Sequence, residues 1–252
     1  MDTAEQVYGH HAVAALLAQR PEAVKKLLVA KGANKSQLDA LVASSEAAGV
    51  AVQHVPRREL DTLAPDARHQ GVIAVIRADA WLRNEKTLQD FVESLDEPAL
   101  LLVLDGVQDP HNLGACLRSA DAAGAHALIM PRDRAAGITP VVHKVASGAV
   151  QSVPIFAVTN LARSLRVLRD AGVWLFGASD DADAGLYDSD LTGPVALVLG
   201  AEGSGLRRLT REHCDHLIAI PMAGQVESLN VSVAAGVLLY EARRQRMQET
   251  NK

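Results

Sequence analysis

From residue 98 onward the chain alternates short apolar runs with longer amphipathic ones. Leu100 to Leu104 is apolar at every position, the pattern of a strand covered on both faces. A helix-like stretch, His111 to Ala123, follows it, then a strand at Ala127 to Met130 and a helix over Val141 to Ala149. Val153 to Val158 reads as a strand, Leu161 to Ala171 as a helix and Val173 to Ala178 as a strand. Asp180 to Asp190 is acidic and turn-rich and reads as a solvated loop. Val195 to Leu199 is a central strand, Gly205 to His213 a helix and Leu217 to Ile220 the last strand, before a closing helix that reaches about Gln248. Strands alternating with helices predict an α/β fold, a parallel sheet with helices on both faces.

The first 77 residues have a different rhythm. Val13, Leu16 and Leu17 are spaced as on one helix face, and Val24 to Val29 reads as a strand carrying Lys25 and Lys26. A helix is expected from Ser36 with Leu38, Leu41 and Val42 inward, ended by Gly49. Val50 to Val55 and Gly71 to Ile76 read as strands around a short helix, Arg57 to Leu63. This predicts a separate small α/β domain over 1–77, large enough to fold alone. Residues 78–97 read as a linker with a modest amphipathic stretch at Leu88 to Leu95, and 98–252 as the second domain.

Composition narrows the function. Aromatic residues make up 3% of the chain, which disfavours base recognition on an aromatic platform. A net charge of −5 argues against a protein that coats nucleic acid nonspecifically. Any nucleic-acid contact then falls to a local patch, for which Lys25, Lys26, Arg57, Arg58 and Arg68 are the candidates; each is equally well a solvated surface charge. Cys116 and Cys214 lie far apart with no CxxC spacing, so no metal site is expected, and the two read as reduced thiols of a cytoplasmic protein. No apolar run reaches the ~20 residues needed to span a bilayer, so no membrane partner is expected.

Three segments break the regular pattern, each after a strand, where ligands collect in open α/β sheets. Asp105 to Gly114 turns through Gly106 and Pro110 into a helix carrying Asn112 and, nearly two turns on, Arg118 and Ser119. Asn112 reads equally well as a simple helix cap, and Arg118 as an exposed helix residue. Gly200 to Gly205 is glycine-rich, but Glu202 stands where a dinucleotide fingerprint has its middle glycine, and no phosphate-gripping lysine follows. Ile220 to Gly236 ends a strand, turns at Pro221 and Gly224, and enters a helix through Asn230 and Ser232. A capped, buried helix accounts for that last stretch; a loop wrapping a ligand accounts for it too. Together the three supply an Arg, a Glu, two Asn and a Ser, with no nucleophile elbow, metal cluster or paired aspartates.

Taken together, these segments resemble the SpoU (TrmH) family of RNA ribose 2′-O-methyltransferases. The matching residues are Asn112, Gly114 and Arg118-Ser119; then Gly200, Glu202 and Gly203-Ser204-Gly205; then Pro221, Val226, Ser228 to Ser232 and Ala234. Tyr8-Gly9-His10 and Arg68-His69-Gln70-Gly71 resemble the ribosomal-protein-like RNA-binding domain that precedes the catalytic domain in many members, so the likeness covers nearly the whole chain. It implies a deep trefoil knot of the SPOUT class in the second domain, a homodimer through that domain, and S-adenosylmethionine as cofactor, contacted by Leu199, Gly200, Gly205, Ile220, Met222, Ser228 and Leu229. It further implies catalytic roles for Asn112, Arg118, Glu202, Asn230 and Ser232, and RNA contacts from Tyr8, His10, Lys25, Lys26, Arg68 and Gln70. Members that methylate a guanosine of 23S rRNA in the peptidyl-transferase region are the nearest in pattern. A tRNA methyltransferase of the same family and a non-catalytic RNA-binding factor with the same fold are the rivals. A guanidinium stays protonated at neutral pH, so Arg118 suits stabilising a developing alkoxide, or gripping a phosphate, better than acting as a base.

Overall fold

The computed structural model describes residues 6–32, 35–65, 68–77 and 80–250. The chain forms two compact units that divide between Trp81 and Leu82. In the first, β1 (Gln6–Tyr8), α1 (His10–Gln19), β2 (Val24–Ala30), α2 (Lys35–Ala47), β3 (Ala51–Val55), α3 (Arg57–Leu63) and β4 (Val72–Ile76) follow in order. They build a four-stranded sheet in the order β1-β4-β2-β3, with β2 parallel to β3 and β4 antiparallel to both β1 and β2. Every residue of β4 is buried. Leu28, Ala30, Val55, Leu60, Ile73 and Val75 pack into one core cluster of this unit.

The second unit begins earlier than its sequence suggests. β5 (Leu82–Arg83) pairs in parallel with β8 (Ile155–Val158), and α4 (Leu88–Glu93) buries Leu88 and Val92 in the same core as Phe156 and Leu165. Glu85, just before α4, accepts hydrogen bonds from the backbone N–H and the hydroxyl of Thr159. Residues 82–97 are therefore structure rather than linker. Two apolar positions a turn apart are too faint a signal to separate a short docked helix from a connector. Ala78, the expected start of that connector, lies outside the described residues.

The remaining elements are β6 (Leu100–Asp105), α5 (Pro110–Ala123), β7 (Ala127–Pro131), α6 (Pro140–Ala146), α7 (Ala149–Ser152), β8, α8 (Leu161–Asp170), β9 (Trp174–Ala178), β10 (Ala184–Gly185), β11 (Val195–Gly200), α9 (Arg208–His213), β12 (His216–Ala219) and α10 (Val231–Thr250). The sheet order is β10-β12-β9-β11-β6-β7-β8-β5, and all of its recorded pairings are parallel. β6 is buried along its whole length. α8 turns Leu161, Leu165 and Leu168 inward and leaves Arg163, Arg166 and Arg169 in water, and Asn160 caps its start by accepting the Arg163 N–H at 3.0 Å.

Three expected boundaries move. The helix expected over Val141 to Ala149 breaks where Ser147 and Gly148 adopt left-handed backbone, with φ of 51° and 101°. The helix expected from Gly205 starts at Arg208, because residues 201–205 close a loop first. The acidic run 180–190 is only partly solvated: it holds β10, which pairs with β12, and Leu186, which is fully buried.

α10 is pinned to the segments that lead into the central strands β6 and β11 by two side chains. The Gln245 carboxamide accepts from Leu191 N at 2.8 Å and donates to Ser189 O at 3.0 Å. The Arg246 guanidinium donates to the carbonyls of Pro98, Ala99 and Gly193 at 2.7, 2.9 and 2.7 Å. A planar fork of five donors serves several divergent carbonyls at once, which three donors on one ammonium nitrogen do not match. Arg246→Ala is expected to lower unfolding stability by about 2–4 kcal/mol, and Arg246→Lys to recover less than half of that, read from urea unfolding midpoints.

Candidate active site

The sheet order places the site. The strand order switches between β6 and β11: β7 and β8 lie beyond β6 on one side, and β9 and β12 lie beyond β11 on the other. Asp105 at the end of β6 sits in register with Gly200 at the end of β11. This is the switch point at which open α/β sheets bind ligands.

Gly200 shows why the second motif needs a glycine at its start. A Cβ there would lie 2.0 Å from the Gly205 carbonyl carbon and 2.3 Å from Leu206 N. The loop folds back so that Gly205 N donates to Ala201 O at 2.9 Å, with Gly203 and Gly205 at φ of 75° and 62°. Gly114 answers a different need: a Cβ would stand 2.7 Å from that of Val145, so its absence sets how closely α5 packs on α6.

The folded-back loop, the ends of β9 and β12 and the segment leading into α10 line a cleft of about 700 Å³. Leu199, Gly200, Gly205, Ile220, Met222, Ser228 and Leu229 all lie on its wall. Asp180, Asp181, Glu202 and Glu227 supply carboxylates to the lining, against one cation, Arg211. Arg211 is itself paired: its guanidinium donates to both Asp181 oxygens, at 2.8 and 3.1 Å. That pairing holds the Asp181 carboxyl below its usual range, with the Ser179 hydroxyl adding to the effect.

Asn230 joins the three motifs. Its amide nitrogen donates to Asn112 Oδ1 at 2.9 Å and to Glu202 Oε1. Its carbonyl oxygen accepts from the Ser232 backbone N–H at 3.0 Å and from the Ser232 hydroxyl. The cap reading of this stretch holds for Asn230, whose oxygen caps α10 while its nitrogen bridges two other segments. Asn112 is buried at the start of α5, whose cap is Asp109, accepting from His111 N at 2.9 Å.

Nucleophilic cysteine chemistry is absent from this site. Burial pushes the Cys116 thiol up to about 12, helped by the nearby Glu202 charge, and burial does the same to Cys214. Neither supplies a thiolate at neutral pH. Among the described residues, no group of three or more His, Cys, Asp or Glu side chains is arranged to hold a metal ion, and no helix is long and apolar enough to cross a membrane.

Residues 99–240 match the SpoU rRNA Methylase family, and residues 6–81 match the RNA 2′-O ribose methyltransferase substrate binding family. The chain belongs to the SpoU rRNA methylase family. It is 54% identical to the 23S rRNA (guanosine-2′-O-)-methyltransferase RlmB of Yersinia pestis, over 96% of this chain and 98% of that one. Its identity to the Escherichia coli K12 protein of the same name is 53%, over 96% and 99%. Among solved structures it resembles the SpoU methyltransferase AviRb from Streptomyces viridochromogenes in complex with AdoMet, with a TM-score of 0.70 and 29% identity over 96% of this chain and 90% of that one.

Two groups of SpoU-like residues fall elsewhere than expected. Arg118 is exposed on α5 and has no hydrogen-bond or ion-pair partner among the described residues. Six residues at about 100° each leave it some 120° short of two full turns from Asn112, so the two side chains leave the helix on different sides. Within one chain, Arg118 is not part of the Asn112–Glu202–Asn230 cluster.

The expected RNA contacts divide in two. Tyr8-Gly9-His10 meets Arg68 to Gln70: His10 N donates to Gln70 Oε1 at 3.1 Å, and Gly9, at φ 88°, leaves only 3.3 Å between a Cβ position and that oxygen. His69 anchors the turn, accepting from Gly71 N through Nδ1 at 3.1 Å, which leaves Nε2 to donate to Asp61 at 2.9 Å. Arg57 follows β3 at this same end of the sheet. Lys25 and Lys26 do not join the patch. Lys26 is in register with Val75 near the end of β4, whereas the patch lies beyond Val72 at its beginning, roughly 13 Å away at 3.3 Å per strand residue. Sequence proximity of charges says nothing about which end of a strand they occupy.

Gly200→Ala is expected to force residues 201–205 out of their fold-back, at a cost of about 1–3 kcal/mol, and to abolish S-adenosylmethionine binding in a calorimetric titration.

Proposed function

We propose that this chain transfers the methyl group of S-adenosylmethionine to the 2′-hydroxyl of a guanosine in 23S rRNA, in the peptidyl-transferase region. The observation that carries the reading is the convergence of Asn112 and Asn230, from two separate motifs, on Glu202 of a third, which forms part of the wall of the cleft.

The cleft fits the cofactor by size and charge. Its volume is within the range of small-molecule sites, and its carboxylate excess suits a molecule that carries a sulfonium and an ammonium against a single carboxylate. Apolar Leu199, Ile220 and Leu229 and the bare backbone of Gly200 and Gly205 would hold it, with Met222 and Ser228 at the edge. When bound, the cofactor supplies an activated methyl group. What the protein adds is placement: Asn230, locked by the cap on one side and by Glu202 and Asn112 on the other, keeps the polar wall rigid where the ribose must approach in line.

Arg118 belongs to this chemistry through a homodimer. Val233, Tyr240 and Met247 recur every seven residues along α10, and each is more than half exposed. Such a stripe calls for a partner surface, and α5, which carries Arg118, packs on α10. In the dimer the Arg118 guanidinium stabilises the developing alkoxide or grips the adjacent phosphate of a ribose held by the other protomer. The trefoil knot is supported by connectivity: β12 follows β11 yet lies beyond β9, and α10 then returns against residues 189–193 and 98–99. The N-terminal unit selects the RNA through Tyr8, His10, Arg57, Arg58, Arg68 and Gln70. The protein acts in the cytoplasm, where ribosomal RNA is made.

Incubation with labelled S-adenosylmethionine and total RNA from cells lacking the enzyme, followed by digestion to nucleosides, is expected to give 2′-O-methylguanosine in the 23S fraction alone. Label in tRNA, or none, would overturn the reading. Arg118→Lys is expected to lower kcat at least a hundredfold while leaving cofactor binding unchanged; near-full activity would show that the planar guanidinium is not required. Arg57→Glu with Arg68→Glu should raise KM for RNA and flatten its salt dependence, with cofactor affinity unaltered.

A further inference from the structure

A second, smaller cavity of about 340 Å³ lies beside the cofactor cleft, lined by Gly106, Gln108, Asp109 and Asn112. Ala201, Glu202, Ser204 and Val231 line both spaces and form the partition between them. We infer that this cavity receives the guanine nucleoside of the target, and that Asp109 and Gln108 are the side chains that select guanine. The inference rests on the methyltransferase reading above and adds to it the group that reads the base.

The size admits one nucleoside and little more. Its lining decides which part of a nucleotide enters. Asp109 and Glu202 are both exposed carboxylates, which disfavours a phosphate inside and favours a base whose edge is rich in donors. Guanine is that base. Its Watson–Crick edge presents N1–H and N2–H side by side, whereas adenine, cytosine and uracil each set an acceptor next to a donor. A carboxylate only accepts, and charge-assisted bonds to it are about twice as strong as neutral ones.

Asp109 is pre-set for this. One of its oxygens is fixed by the His111 N–H at the start of α5, and the other has no partner among the described residues. The Gln108 carboxamide is exposed and likewise makes no hydrogen bond among them, so its NH2 is free to donate to O6. The rim supplies guanidinium N–H donors for a phosphodiester. Buried Asp105 accepts from Arg207 N at 2.9 Å and pairs with its guanidinium at 3.4 Å, and that guanidinium, half exposed, lies across Gly106, where a Cβ would meet it at 2.8 Å. A base entering beneath Arg207 brings its own ribose to the Glu202 partition, opposite the cofactor cleft.

The test uses the full-length protein and a synthetic RNA hairpin spanning the position at which it methylates 23S rRNA, mapped beforehand by alkaline-cleavage protection. Hairpins carry guanosine, inosine or adenosine at that position; inosine lacks only the N2 amine. The wild-type chain is expected to show kcat/KM for inosine about tenfold to a hundredfold below that for guanosine, and no transfer to adenosine. Asp109→Asn keeps the helix cap, so S-adenosylmethionine binding and the unfolding midpoint should be unchanged while the guanosine-to-inosine ratio falls to within about threefold. Gln108→Ala should lower guanosine and inosine rates together, because both carry O6. A wild-type chain indifferent to the N2 amine, or an Asp109→Asn variant that retains the full preference, would overturn this assignment and leave the methyltransferase reading intact. Absence of transfer from the wild-type chain to any 23S RNA would overturn both.

Discussion

The amide of Asn230 is the joint on which the site depends. Its two N–H groups go to Asn112 and Glu202, and its oxygen closes the first turn of α10. The partners are 118 and 28 residues distant in sequence, so ordering them costs conformational entropy that one hydrogen bond does not offset. The parallel sheet bears that cost. Having fixed the ends of β6 and β11 side by side, it leaves the amide only the last few ångströms to set.

That dependence explains the glycines. A loop that must turn back on its own strand within five residues has no room for a Cβ at Gly200, and it needs left-handed backbone at Gly203 and Gly205. The same economy of space shapes the other side of the sheet end, where Gly106 lies under the Arg207 guanidinium and Asp105, though buried, is neutralised by it. Two cavities with one shared partition are the result. Under the proposed reading, donor and acceptor are bound separately on the two sides of Glu202.

The first unit works on another principle. At one corner of its small sheet Tyr8-Gly9-His10 and Arg68-His69-Gln70 are drawn together from its two ends, the corner proposed above to meet the RNA. The net charge of −5 does not oppose that proposal, because recognition requires a local field rather than a basic chain.

From the sequence alone, the all-apolar Leu100 to Leu104 run, the alternation of elements after it and the three motif segments settled the α/β class, the parallel sheet and the family. Burial periodicity and glycine placement are local properties, legible one window at a time. The seven residues expected to hold the cofactor do share one cleft, since five sit at or after the ends of β11 and β12 and Ser228 and Leu229 sit just before α10. What only the tertiary structure decided concerns pairs of residues far apart. β5 and α4 belong to the second unit because of what they pack against, and Lys25 and Lys26 leave the proposed RNA patch because of strand register. Asn230 turned out to be cap and bridge at once. Those outcomes are set by which strands become neighbours, and strand neighbourhood is a property of the folded sheet that no stretch of chain carries by itself.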